Sequence, residues 1–272
     1  MNIFNFIYRY LKATYLGFWI PFQSLYSHKN LVLLLIKRDV TNRTSNTLLG
    51  DAWLFFQPAL QVVGFWFLLD VVLKIKFPNG VAFFDYFIVG MLPWLLISEV
   101  LMRSLNVFNE FEGVYRRAVF PLIILPLMPL LLSTLLYAVI MAVTVGLLQG
   151  WALIPIGIAT ILLIAIWLIP FCYLLAAIGL FLKDIAQFFP FLITITLYLT
   201  PILYMPQQMP DAMHWVLAIN PIADVMALIH AVVQDLTWTW ANLWRPIILW
   251  LLLLAPAFVL FKRAEPHVRE ML

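Results

Sequence analysis

From residue 52 onward, long apolar runs alternate with short polar stretches that carry glycine, proline or charge. Each run is of the order of the roughly 20 residues with which a helix crosses about 30 Å of hydrocarbon, and the alternating ten-residue pattern of barrel strands is absent. The pattern predicts six membrane-spanning helices: Ala52 to Val72, Phe84 to Val107, Leu122 to Leu148, Ala152 to Leu182, Ile185 to Met205 and Ala241 to Phe261. Spans three and four part at "GLLQG" (146–150), a tight turn built on its two glycines. The fourth run has 31 residues, about 46 Å as a helix, so it tilts, kinks or projects beyond the bilayer. Pro155 and Pro170 offer kink sites in it, and Pro58, Pro93, Pro190 and Pro256 lie inside other spans.

Two N-terminal segments are greasy yet too polar to cross. In "NIFNFIYRYLK" (2–12), Asn2, Asn5, Arg9 and Lys12 recur on one stripe of a helix whose remaining circumference is apolar. That pattern suits a helix lying in the interface, with its charges toward anionic headgroups. A second such helix is expected from about Lys29 to Leu48, stopping at Gly50. Between spans five and six, "PQQMPDAMHWVLAINPIADVMALIHAVVQDL" (206–236) mixes Asp211, His214, Asp224, His230 and Asp235 with apolar residues at helical intervals. Two short helices around its Asn220-Pro221 break are expected to re-enter the outer leaflet. The expected fold is an all-α polytopic membrane protein in a single domain. Interfacial helices occupy 1–50, spans one to five 51–205, the outer re-entrant segment 206–240, and span six with its tail 241–272.

Composition agrees: 65% of the 272 residues are hydrophobic and 11% charged, with a mean hydropathy of +1.01, far from a soluble domain. The first residues lack a short apolar core followed by a small-residue cleavage site, so no removable signal peptide is expected. The only cysteine, Cys172, excludes an internal disulfide and a cysteine metal cluster. With the termini inside, thirteen lysines and arginines fall on inner segments and only Lys74, Lys76 and Arg245 outside. The positive-inside bias therefore places both termini in the cytoplasm.

Charge inside the spans is scarce. Asp70 and Asp85 fall near the outer boundary, whereas Glu99 and Arg103 are four apart and share one helix face. They read either as a structural pair near the inner interface or as part of a gate on a polar path. No carboxylate or histidine is placed near the midplane to carry a coupling ion, which disfavours an ion-driven carrier. The chain also lacks "GxxxxGK[ST]", so energy from nucleotide hydrolysis would arrive from another polypeptide. The outer histidines and aspartates lack the tight spacing of a known metal site, and no catalytic or metal-binding residue is expected. A membrane enzyme is the alternative of another class, and it would need His214, His230 and the outer aspartates to form a site. The aromatic residues of span one, Trp53, Phe56 and Phe67, follow helical spacing with Leu60 and Gly64. They suit either a flat platform facing a path through the protein or lipid-facing packing.

Between spans two and three lies "NEFEGVYRRAVFP" (109–121), two glutamates and two arginines on one short peptide. A helix of two to three turns across the inner membrane surface is expected there. It serves either as an ordinary inner loop or as an element that transmits a push to both attached spans.

Four stretches in register resemble one family. "LIKRDVTNRTSNTLLGDAWLFFQPALQVVGFWFLL" (35–69) resembles the start of permease subunits of ABC exporters for polysaccharides, the O-antigen, capsule and teichoic acid group. "RRAVFPLIILPL" (116–127), "LKDIAQFFPFLITITLYLTPILYMPQQMP" (182–210) and "INPIADVMALIH" (219–230) are similar to later family stretches, with Thr200 where serine is usual. The resemblance implies a homodimeric permease of the bacterial inner membrane that moves a lipid-linked polysaccharide. It also implies two separate ATP-binding subunits, with ATP and Mg bound by those partners, and no nucleic acid. On matching positions, Asn109, Glu110, Glu112, Tyr115, Arg116 and Arg117 would couple to the ATPase. Lys37, Arg38, Asp39 and Arg43 would belong to a gate helix at the lipid interface, and Trp53, Phe56, Phe67, Glu99 and Arg103 are path candidates. O-antigen is the substrate that the length and the basic N-terminal region favour; capsule and teichoic acid remain the alternatives.

Overall fold

The amphipathic N-terminal segment forms α1 (Ile3–Ser27), and α2 (Lys29–Thr44) follows after a single residue. The computed structural model describes residues 3–45, 47–77, 82–115, 121–234 and 240–270. Helix α2 ends four residues before the expected Leu48, because Ser45 turns extended and the hydroxyls of Thr44 and Thr47 tie the exit to Asp51 and to the Thr44 carbonyl.

The long apolar runs then fold as α3 (Trp53–Trp66), extended by a π-helical stretch to Val72, α4 (Phe83–Glu110) and the one-turn α5 (Glu112–Tyr115). They continue as α6 (Met128–Leu148), α7 (Ile154–Phe181), α8 (Lys183–Leu199), α9 (His214–Ile219), α10 (Pro221–Val233) and α11 (Trp240–Glu270). Five helical stretches are long and apolar enough to cross a bilayer: Gly50–Val72, Phe83–Tyr115, Leu122–Leu148, Trp151–Phe181 and Leu243–Val268. The protein is a multi-pass, all-helical membrane protein, with no strand among the described residues. A sixth crossing is counted if α9 and α10, bent by 95° at the Asn220-Pro221 break, form one broken span.

Two predicted span ends and one predicted kink change. The fifth predicted span stops at Leu199, 17 residues into α8, because Pro201 pushes the residue before it out of helical backbone and Thr200 is extended. Helix α11 outlasts its predicted end at Phe261 and runs to Glu270. Pro155 sits in the first turn of α7, where its missing N–H costs little, so it is a helix starter and not a kink.

Helix α7 is apolar around its whole circumference, and such a helix belongs at the centre of a bundle; it packs against α4, α6 and α11. Gly179 allows the closest approach, since a β-carbon there would lie 1.9 Å from the carbonyl oxygen of Leu105 on α4. Proline leaves the carbonyl four residues earlier without its helical donor, and two such carbonyls find side chains. The Tyr10 hydroxyl of α1 lies 2.7 Å from Leu252 O, freed by Pro256, and 2.8 Å from Leu251 O. The Trp250 indole of α11 donates over 2.8 Å to Ile166 O, freed by Pro170. In return, Trp167 of α7 donates over 3.2 Å to Pro246 O of α11.

Candidate functional site: a charged cluster beside an aromatic cavity

A cavity of about 710 Å³ opens between α3, α4, α6 and α8, within the range of ligand sites. Trp53, Gln57 and Gln61 of α3, Trp94 and Ser98 of α4, Tyr137 of α6 and Thr194 of α8 line it, with Trp94 and Tyr137 buried in its wall. Gln57 and Gln61 are four apart and share one face of α3.

Arg43, Glu99, Arg103 and Glu110 close one end of this cavity. Arg43 Nη1 donates to Glu99 Oε1 over 2.7 Å, and Ser133 Oγ of α6 donates to the same oxygen over 2.9 Å. Arg103 Nη2 lies 2.9 and 2.8 Å from the two oxygens of Asp39. Its Nε and Nη2 also lie 3.1 and 2.8 Å from Glu110 Oε2. Arg43 Nε approaches Asp39 Oδ1 at 3.6 Å. Two guanidiniums thus serve three carboxylates drawn from α2 and both ends of the last three turns of α4. Arg103 and Asp39 are only 13% and 12% exposed, so water and salt screen this cluster far less than a surface pair. Arg43 Nη2 and Arg103 Nη1 have no acceptor among the described residues.

The predicted gate, path and coupling residues therefore converge in part. Asp39 and Arg43 of the gate group meet Glu99 and Arg103 of the path group and Glu110 of the coupling group. Glu99 and Arg103 are not a pair with each other, as their spacing suggested: each is drawn to an opposite charge on α2. Lys37 and Arg38 are exposed on α2, and a β-carbon on Gly113 would lie 3.6 Å from Arg38 Nη2. Asn109 and Glu110 form the last turn of α4 and not part of a separate surface helix, because α4 runs unbroken to Glu110 and leaves helical backbone only at Phe111. Glu112 and Tyr115 lie in α5, with the Tyr115 ring edge-on to Phe108 at 6.2 Å. Arg116 and Arg117 lie outside the described residues.

Trp53 lines the cavity but Phe56 and Phe67 do not. Both are exposed on the outside of α3, and Phe56 packs edge-on against Trp53 at 5.6 Å. The cavity face runs through Trp53, Gln57 and Gln61 instead, and the two glutamines in an apolar span were the signal for it. Trp94, Tyr137 and Ser133 also belong to the site without having been singled out. The outer histidines part company: exposed His214 lies 3.8 Å from Asp211, whereas buried His230 stacks on Tyr86 at 3.9 Å and 4°. Among the described residues no three histidine, cysteine or acidic side chains are arranged so that they could hold a metal ion, and Asp235 lies outside them.

Residues 30–233, from the start of α2 to the end of α10, match the ABC-2 type transporter family. The chain belongs to that family of membrane transport subunits. Among its relatives are two O-antigen export system permease proteins RfbA of Klebsiella pneumoniae, 26% and 24% identical over 203 residues, which cover 72% of this chain and 77% of theirs. The O-antigen export system permease protein RfbA of Myxococcus xanthus is 25% identical over 222 residues, 78% of this chain and 84% of its own.

Proposed function

We propose that this chain is the channel-forming permease of an ABC exporter that carries lipid-linked O-antigen across the bacterial inner membrane. One observation carries the reading: the family match over 30–233 takes in α2, the charged cluster and every helix that lines the cavity. Three relatives named as O-antigen export permeases support the substrate. Two copies pair, each docked on a separate ATPase subunit that binds ATP and Mg. The exposed faces of α3 and α8 border the cavity, so a second copy laid against them would enclose it.

The basic end of the bundle and both termini face the cytoplasm, as the charge bias requires. Helix α2 lies along the inner interface, α1 packs against the middle of α11, α8 with the residues after it completes a sixth crossing, and α9 and α10 dip back from the outer face. A sugar offers an apolar face of C–H groups to Trp53 and its hydroxyls to Gln57, Gln61 and Thr194, over a wall that contains Trp94 and Tyr137. No wall of like charge holds it, so successive units slide without being trapped. The peptide at 109–117 receives the ATPase stroke, and α2 opens the path to the lipid.

The test is genetic. Cells that make the glycan but lack this chain are expected to accumulate it on the cytoplasmic face of the inner membrane and to recover surface glycan when the chain is restored. Surface glycan unchanged by its loss would contradict the reading.

A further inference from the structure

We infer that Arg103 is the positioning residue through which movement of the docking peptide reaches α2, an inference that rests on the exporter reading above. Arg103 and Glu110 are seven apart, two turns along one face of α4, and Glu110 is the last residue of that helix. Phe111 and α5 follow at once, so the Glu110 carboxylate rides at the joint between the span and the docking peptide. Arg103 Nη2 bridges that carboxylate, at 2.8 Å, to Asp39 Oδ2 of α2, also at 2.8 Å. Sixty-four residues of chain separate Asp39 from Arg103, yet a single guanidinium nitrogen joins them to the docking joint.

The connection then branches. Asp39 also attracts Arg43, Arg43 holds Glu99, and Ser133 fastens Glu99 to α6. A displacement of Glu110 therefore bears on α2 through one bond and on the cavity wall through the next. The cluster can rearrange, because three carboxylates share two guanidiniums. Arg43 Nη2 and Arg103 Nη1 are donors with no acceptor among the described residues. Discrete alternative pairings of this kind are what lets a packed network switch and not merely deform. Lysine could not replace Arg103, since only the planar guanidinium fork holds two carboxylates in fixed geometry. One more negative than positive charge also makes the cluster a poor cradle for a lipid phosphate, so it is better suited to transmit motion than to bind the anionic headgroup.

The test uses the full chain co-purified with its ATPase subunit in nanodiscs, with Lys37→Cys on the exposed side of α2 and Cys172→Ala as the background. Maleimide labelling of Lys37→Cys is timed with and without Mg-ATP, at equal subunit stoichiometry. In the parent the nucleotide is expected to change the rate by about threefold or more, as a population shift of α2. Arg103→Lys, which keeps the charge, and Asp39→Asn, which removes one arm of the fork, are each expected to abolish that change. A purely structural role would instead lower complex yield and leave the nucleotide response of the assembled fraction intact. A response that persists in Arg103→Lys complexes, or a parent whose α2 does not respond to nucleotide, would overturn the relay alone. Failure of any ATPase subunit to co-purify with the parent would overturn the exporter reading and the relay with it.

Discussion

On one side of the bundle, α1, α7 and α11 are tied by side chains that reach the carbonyls freed by Pro256 and Pro170. On the other, α3 and α8 lie loosely beside the cavity: 11% of the most apolar stretch around α3 is buried, against 72% for α4, and Leu197 is the only buried residue among those described in α8. In lipid the hydrophobic effect does not drive helices together, so polar ties and close packing do. The tied side has both: two indole bonds exchanged between α7 and α11, and the glycine contact between α7 and α4. The loose side has less: the Asn220 amide donates over 3.4 Å to Leu199 O at the end of α8, and Gln57, Gln61 and Thr194 line the cavity. Within the single chain, burial and polar ties are thereby concentrated around α7, and the cavity lies on the side with the least of either.

Substitutions can break this comparison in a graded way. Gly179→Val has the largest expected effect, because its β-carbon would overlap the Leu105 carbonyl oxygen at 1.9 Å. It is expected to cost about 4 kcal/mol or more and to show as loss of folded protein from the membrane fraction; normal yield would contradict the packing. Trp250→Phe removes the donor to Ile166 O and is expected to cost about 1–3 kcal/mol by leaving the carbonyl freed by Pro170 without a donor in an apolar span, read as a lowered melting temperature in detergent. Tyr10→Phe should follow at about 1 kcal/mol, because its site is only partly buried. On the loose side, Trp53→Ala is expected to lower export by about tenfold, the loss of one aromatic contact of roughly 1.4 kcal/mol, with little change in melting temperature. Phe191→Ala on α8 is expected to shift the melting temperature of the single chain least, within about 0.5 kcal/mol. A Trp53→Ala protein that melts as low as Trp250→Phe would erase the distinction between the two sides.

Much of the fold was legible in the sequence because lipid imposes long apolar runs. Spans one to four fall within a few residues of their predicted ends, apart from the extension of α4 to Glu110, and the Asn220-Pro221 break sits at a 95° bend. The site was less legible, for reasons of geometry. Four-residue spacing puts Glu99 and Arg103 on one face, but it says nothing of a third charge arriving from another helix. Arg43 and Asp39 lie more than fifty residues away in sequence and win both partners. Periodicity alone leaves Trp53, Phe56 and Phe67 open between a cavity platform and lipid-facing packing, because aromatics recur round α3; the structure separates cavity-lining Trp53 from exposed Phe56 and Phe67. The prolines at 170 and 256 announced freed carbonyls, yet nothing in sequence spacing pointed to Trp250 and Tyr10 as the donors that meet them.

The central claim is that this chain is the conduit and that a separate ATPase supplies the force. Proteoliposomes loaded with a lipid-linked glycan, with this chain inserted in one orientation, test it most directly. ATP is expected to drive glycan to the far leaflet only when the ATPase subunits are bound, and a hydrolysis-deficient partner is expected to stop it. Translocation by this chain with no partner, or with the inactive one, would contradict the account.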